Sequence, residues 1–477
     1  MSWLHWIFLV VYFGYSFGNN KPAVRVRITQ KGLDYAIDNA MDYAKAKMKN
    51  YPLPDKNGKL ANFFFDVKYS FTNMTIYNIN ISDKSLRPVP RRGLYTVLRN
   101  INFDIKGKWK ISMGWFANYG TFNVAVQGMS VGILIDLGVN GDRLVVSRVT
   151  CASRLDGVSM ALKSGQGTSY LFLATQQMMK NYVKSKIPRI VCEEGRKAIR
   201  KHLNKQFSKF PVKQNLKRSV TLDYSVVKRP EYKIGAVDLF LKGEFQPADG
   251  SMKWQQQPAD LPRDYARDRM MYVTMMDHMI NSASHAYYNQ DAMRVKATVK
   301  QVPQLHVKGG FFNRYLSRIN TGLGLIKKSA CANCDLHITM EATSPPQIRT
   351  SHSGIHLTVQ ATTKINVVLP GTKREELNLE TNITATAVPK LNGTKLSTNI
   401  TDLRLNTRVI NPSLVTTLSG SVEEMKEIVK KEVEKLLENG ISGVEIPLPL
   451  SEKFQLVEPR VSYGEGYMTL ETDILLR

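Results

Sequence analysis

Cysteine is scarce in this chain, with 4 in 477 residues. A disulfide scaffold is thereby excluded, and hydrophobic cores must supply the stability. Long apolar runs are scarce too: beyond residues 1–18 no stretch is apolar enough to span a bilayer. Catalytic signatures are missing as well. There is no P-loop and no dinucleotide fingerprint. His352 and His356 lack the Glu of a zinc protease motif. Gly128-Met129-Ser130-Val131-Gly132 has the spacing of a hydrolase nucleophile elbow, which works only at a sharp strand-to-helix turn. Here the motif lies within a period-two alternation, so Ser130 should simply point outward from a strand. These absences predict a binding protein with no catalytic residues, no cofactor and no metal.

Acidic residues are in short supply in one half only. Up to residue 250 the chain has 39 Lys and Arg against 17 Asp and Glu; the remainder has 27 against 23. Nearly all of the net charge of +26 therefore sits in the first half, which should be drawn to a polyanion. Residues 1–18, MSWLHWIFLVVYFGYSFG, have an apolar, aromatic centre and small residues before a polar Asn19-Asn20-Lys21. That pattern predicts a secretory signal peptide and a secreted, extracellular or granule-stored protein. In that setting the polyanions on offer are bacterial surface lipids, anionic membranes and sulfated glycans; no specific nucleic-acid partner is expected. Secretion also gives meaning to the Asn-x-Ser/Thr acceptors Asn73, Asn80, Asn382, Asn392 and Asn399.

Four cysteines admit three pairings. Cys151 and Cys192 both lie in the basic half and are favoured as a long-range bridge. Cys331-Ala332-Asn333-Cys334 reads as a local disulfide in a loop, since nothing around it suggests the helix N-terminus of a redox pair or two further zinc ligands.

Periodicity divides the chain. Ala23 to Thr29 reads as an extended run in which Val24, Val26 and Ile28 alternate with Arg25 and Arg27. Leu33 to Met48 fits one helical face, with Thr29 as cap and Lys45, Lys47 and Lys49 at the C-terminal end. Residues 61–150 alternate as long antiparallel strands, with turns expected at Pro88–Gly93, Gly107, Asn118–Gly120 and Asn140-Gly141. Residues 168–206 predict a second helix kinked at Pro188. A Pro/Gln-rich linker is expected at 246–263, separating a basic N-terminal domain, 19–245, from a second domain, 264–477. In the second domain 264–289 reads as a Met-rich helix, Ala297 to about Leu405 as strands, and Ser421–Glu438 as an amphipathic helix opened by a capping box. Helix, strands, helix and strand in both halves predict two related α+β domains.

Several segments resemble a known family. Ala23–Ala36 (AVRVRITQKGLDYA), Gly107-Lys108-Trp109-Lys110, Gly128-Met129-Ser130, Leu241–Phe245, Asp268–Tyr272 and Ile446–Pro449 are similar, in this order, to the bactericidal permeability-increasing protein and lipopolysaccharide-binding protein family. The resemblance implies an α+β boomerang: two similar elongated barrel-like domains, each a twisted antiparallel sheet around a long helix, joined by a central sheet. It implies a Cys151–Cys192 disulfide and an apolar pocket in each domain that holds a phospholipid. It also implies recognition of lipopolysaccharide, through its lipid A, by basic loops at the tip of the first domain, with innate-immune, antibiotic consequences at the anionic bacterial membrane surface. A lipid carrier of the same fold, moving phospholipid or neutral lipid, is the alternative.

A reader of lipid A needs clustered cations beside apolar or aromatic side chains. Three segments qualify and are expected to converge: Lys45, Lys47 and Lys49 at the helix end; Arg91, Arg92 and Arg99 at and beyond the turn after Pro88; and Lys106, Lys108 and Lys110 around Trp109, whose ring would insert among acyl chains. After Lys110 the chain turns aromatic where the family adds cations. The protein is expected to act as a monomer.

Overall fold

The computed structural model describes residues 21–60, 67–114, 116–164, 170–216, 219–250, 254–263, 266–290, 293–299, 335–368, 374–411, 446–450 and 453–476. The expected signal peptide, Cys331, Cys334 and the helix expected at 421–438 lie outside the described residues.

The first half opens with β1 (Val24–Thr29) and α1 (Gln30–Met48). There follow β2 (Pro52–Leu53), β3 (Lys56–Leu60), β4 (Val67–Val89), β5 (Gly93–Met113), β6 (Phe116–Asn140), β7 (Arg143–Arg154) and β8 (Gly157–Ser164), then the 40-residue α2 (Tyr170–Lys209). Short strands close it: β9 (Lys213–Leu216), β10 (Val220–Asp223), β11 (Val226–Lys233), β12 (Ala236–Leu241) and β13 (Glu244–Pro247). The second half has β14 (Met271–Met276), α3 (Asp277–Asn289), β15 (Arg294–Val299), β16 (Asp335–Ala342), β17 (Gln347–Ser351), β18 (Gly354–Val368), β19 (Arg374–Asn392), β20 (Lys395–Asn411), β21 (Ile446–Pro447), β22 (Phe454–Gly464) and β23 (Tyr467–Leu476).

Among the described residues these strands form one seven-stranded antiparallel sheet in each half, a six-stranded sheet between them, ordered β11-β12-β1-β14-β23-β22, and a small three-stranded sheet, β13-β10-β9. The expected fold class holds: α+β, with two antiparallel sheets joined by a central one. In the first sheet β4, β5 and β6 run 21 to 25 residues, roughly 70–80 Å at 3.3 Å per residue. Bulges interrupt them at Thr72/Thr75, Tyr77/Asn80 and Leu98/Ile101. Each bulge adds local twist, which lets such long strands coil around a core rather than lie flat. The inner face buries Phe71, Phe103, Trp109, Phe122, Val124 and Met129 against Val183 and Ile187 of α2.

Helix α2 contains Pro188. A proline there breaks the hydrogen-bond ladder. Strand β7 secures the helix at that point: Ser153 Oγ donates to the Pro188 carbonyl at 2.7 Å, and Cys151 is disulfide-bonded to Cys192. At the far end Arg143 donates to the carbonyls of Ser208 and Phe210, at 3.0 and 2.6 Å, in keeping with a cation at a helix C-terminus.

Four local expectations are corrected. Thr29 occupies the N-cap position of α1 but makes no capping bond; its hydroxyl donates to the Arg269 carbonyl at 2.6 Å. The Met-rich stretch is split. Met271, Met275 and Met276 lie on β14, which is buried on both faces between β1 and β23, and only Met279 belongs to the helix that follows. Strand β1 forms where the extended run is expected, and in it Arg25 and Arg27 are as buried as their apolar neighbours. Neither Gly107 nor Asn118–Gly120 turns the chain; both lie inside paired strands. At Gly107 a β-carbon would meet Phe122 Cζ at 2.7 Å, and at Gly120 it would meet the Lys163 carbonyl oxygen at 1.8 Å and Trp109 Nε1 at 3.0 Å. These glycines make room for large core side chains and a close strand.

Candidate functional site

The candidate cations are placed by strand register. In β5, Ile105, Trp109 and Ile111 point into the core, and period-two geometry sends Lys106, Lys108 and Lys110 to the exposed outer face. Antiparallel pairing builds rows across that face. Lys110 lies between Ser70 and Tyr119, Lys108 between Thr72 and Thr121, and Lys106 between Thr75 and Asn123. The rows extend further: Thr121 pairs with Lys163 of β8, and Lys68 of β4 pairs with Ser112 and with Lys59 of β3. At about 7 Å between rows and 4.8 Å between strands, Lys68, Lys106, Lys108, Lys110 and Lys163 share one patch. Among the described residues these five make no ion pair. Lys106 Nζ stands 5.2 Å from the centre of the Tyr77 ring, and Tyr119 projects 58 % exposed among the lysines. Asp104 bounds the patch on the side of Lys106, where it accepts a hydrogen bond from Asn78.

The end of α1 reaches the same half of the sheet. The Asn50 amide donates to the Ile76 carbonyl and the Ile76 amide to the Tyr51 carbonyl, so the helix end is tied to β4 beside Thr75, the register partner of Lys106. Lys49 is exposed there and Lys45 half-buried. Lys47 belongs to the same last turn.

Two expectations about the site fail. Trp109 is 2 % exposed and packs in the core, so it cannot insert among acyl chains from this position. The three segments also do not converge. Arg91 and Arg92 form the turn between β4 and β5, and the Arg92 amide closes it by donating to the Val89 carbonyl at 3.0 Å. This turn lies at the end of β5 opposite Lys110. Sixteen residues separate Arg92 from Lys108, a span on the order of 50 Å along an extended strand. It is the end nearest the central sheet, where the α1 residue Gln30 donates to the Leu86 carbonyl and Tyr232 of β11 accepts from the Leu137 amide. Arg99 lies between the two and pairs with Asp83 at 3.1 Å. Lys68 and Lys163 escaped the sequence reading because they stand alone in their segments; only the pairing of β4 and β8 with β5 and β6 brings them in.

Two other polar features belong to the framework. Arg27 is paired with Asp238 in the central sheet, and Lys233 reaches the same carboxylate at 2.8 Å. Burial alone would raise the Asp238 carboxyl, but the hydrogen bonds from Arg27 and Lys233 outweigh it and hold it below the usual carboxylate range. Tyr272 donates to Asp268 and accepts from the Arg269 amide, and burial with the Asp268 bond pushes its phenol up to about 12. A cleft of about 280 Å³ opens where Ala259–Arg263 cross the central sheet beside Arg25, Lys228 and Phe240, away from the lysine rows. Ser130 is a strand residue paired with Arg154, as the alternation predicts, and no nucleophile elbow exists there.

A long twisted antiparallel sheet with an apolar inner face and a lysine-bearing outer face, a second seven-stranded antiparallel sheet in the other half and a central sheet between them define a class of α+β proteins with two sheet domains. The chain belongs to the LBP / BPI / CETP family: the model of the family's N-terminal domain matches residues 32–204 and that of its C-terminal domain matches residues 214–476. It is 24 % identical to the lipopolysaccharide-binding protein of Oryctolagus cuniculus, over 96 % of this chain and 94 % of that one. It is 24 % identical to the bactericidal permeability-increasing protein of Sebastes schlegelii, over 98 % of each. It is 22 % identical to the human phospholipid transfer protein, over 95 % of this chain and 90 % of that one. A crystal structure of lipopolysaccharide binding protein superposes with a TM-score of 0.59 at 20 % identity, covering 96 % of this chain and 99 % of that one. The relatives are binding and transfer proteins, not enzymes.

Proposed function

We propose that this protein is secreted, binds the lipopolysaccharide of Gram-negative bacteria through the lysine rows of its first sheet, and perturbs the bacterial envelope as a result. The carrying observation is the set of five exposed lysines, free of ion pairs among the described residues, on the outer face of β4, β5 and β8. Lysines at this spacing suit a surface of phosphates, where each contributes about 1 kcal/mol. Tyr119 offers an amphipathic ring at the level of the headgroups. The names of the relatives support the same ligand class. Phospholipid would be held against the apolar inner faces of the sheets. The expected domain division and action as a monomer remain part of this reading.

The test is a titration of the full chain, and of a Lys106→Ala/Lys108→Ala/Lys110→Ala variant, against lipopolysaccharide, phosphatidylglycerol vesicles and phosphatidylcholine vesicles. The reading requires the first two to bind well above the third, and the variant to lose that preference. Equal binding to all three, with transfer of phosphatidylcholine between vesicles, would instead favour a carrier like the phospholipid transfer protein.

A further inference from the structure

The acceptor Asn73 lies inside the lysine rows. Thr72 is the register partner of Lys108 and Thr75 that of Lys106, and the bulge between them places Asn73 and Met74 opposite Gly107. Met74 turns inward onto the core, while Asn73 is exposed on the outside with φ of 51°. Its amide donates to Asp55 at 3.0 Å, so the backbone there is fixed.

A left-handed bulge position favours asparagine for conformational reasons alone. Asn50, Asn78 and Asn100 occupy the same left-handed region. None of those three has Ser or Thr two positions on, whereas Asn73 is followed by Met74-Thr75. Conformation accounts for the asparagine but not for Thr75. The other acceptor on this strand, Asn80, faces Asn102, nearer the central sheet and away from Lys108 and Lys110.

We infer that Asn73 is a glycan acceptor within the lysine face, and that its sugar limits how closely that face approaches an anionic lipid surface. This rests on the lysine reading above. During export the Asn73 Nδ2 forms a bond to the anomeric carbon of an oligosaccharide carried on a lipid pyrophosphate. The bond from that carbon to the pyrophosphate oxygen breaks, the lipid pyrophosphate leaves with the electron pair, and the amide gives up one proton. The attached sugar is neutral at its core, strongly hydrated and larger than a lysine side chain. Placed between the Lys106 and Lys108 rows, it holds a flat surface away from them while leaving Lys68 and Lys163 at the margins accessible.

The test uses the full chain secreted from a glycosylating eukaryotic cell, with occupancy read by glycopeptide mass spectrometry. Two variants remove the acceptor: Asn73→Gln, and Thr75→Val, which leaves the left-handed residue in place. Asn382→Gln, on the second sheet, is the control. Asn73 should be occupied. Both variants should bind phosphatidylglycerol vesicles about fivefold more tightly at low salt, the equivalent of one lysine at an anionic surface. The control should not change, and the gain should vanish when Lys106 and Lys108 are also Ala. An unoccupied Asn73 overturns the inference. So do acceptor variants that bind like wild type while the triple lysine variant still loses binding, a result that leaves the lysine reading standing. If the triple variant itself binds like wild type, both readings fall.

Discussion

Arg27 and Asp238 are register partners across β1 and β12, and they close a two-pronged ion pair: Nε to Oδ1 at 2.7 Å and Nη2 to Oδ2 at 2.9 Å. The two side chains are 3 % and 0 % exposed. Removing one partner of such a pair leaves a buried charge without its counter-ion, which costs about 3–5 kcal/mol. Asp238→Asn should therefore lower unfolding stability at pH 7 by about that amount, measured by urea denaturation. The carboxyl is held below its unfolded value, so its contribution is complete above about pH 4 and is lost as pH falls through the folded value. The gap between wild type and variant should close in acid. A gap that persists unchanged at the lowest pH the fold tolerates would show that the ion pair is not its source.

Lys106, Lys108 and Lys110 should matter more than Arg91 and Arg92, although the two sets look alike in sequence. Replacing the three lysines with Ala should weaken binding to lipopolysaccharide on the order of a hundredfold at low salt. That loss should shrink toward 0.15 M, where exposed charges are screened beyond about 8 Å. Arg91→Ala with Arg92→Ala, at the far end of β5, should cost much less. An arginine pair whose loss equals that of the lysines would place the binding surface at the central end of the sheet.

Trp109→Ala should act on the fold. The ring is among the largest fully buried side chains, and the Cβ position of Gly120 lies 3.0 Å from its Nε1. Its loss should destabilise the first sheet by about 3–5 kcal/mol, seen as a lower melting temperature with or without lipid. A variant with unchanged stability and weaker vesicle binding at high salt would return Trp109 to the membrane surface.

The Cys151–Cys192 bridge closes a loop of 41 residues. Its chain-entropy contribution is roughly 4 kcal/mol. Cys151→Ala with Cys192→Ala should reduce stability by up to that amount, and the region around Pro188 should lose hydrogen-exchange protection first, since Ser153 would be the remaining tie of β7 to the Pro188 carbonyl. Uniform loss of protection along α2 would argue against a local staple.

Repeating patterns carried most of the fold. Period-two runs in 61–150, the helical stripe of α2 and the loop-forming prolines and glycines are local properties, legible because alternation and helical pitch are fixed by backbone geometry. The charge excess of the first half was equally plain. What the sequence could not show was which glycine leaves room and which one turns, because the answer for Gly107 and Gly120 depends on Phe122, Trp109 and Lys163 from other strands. Nor could it show that the arginines of β1 are buried, since the carboxylate that lets Arg27 stay inside, Asp238, comes from β12, more than 200 residues on. The candidate site was half legible. Lys106, Lys108 and Lys110 stand together on one strand and share a face by period alone, whereas Lys68 and Lys163 join them, and Arg91 and Arg92 leave them, only through strand register and strand length. Composition and periodicity thus determined the class of the fold and the sign of the partner proposed for it. Long-range antiparallel pairing decided which charges meet, because a strand of more than 20 residues carries neighbours in sequence far apart in space while register brings distant ones together.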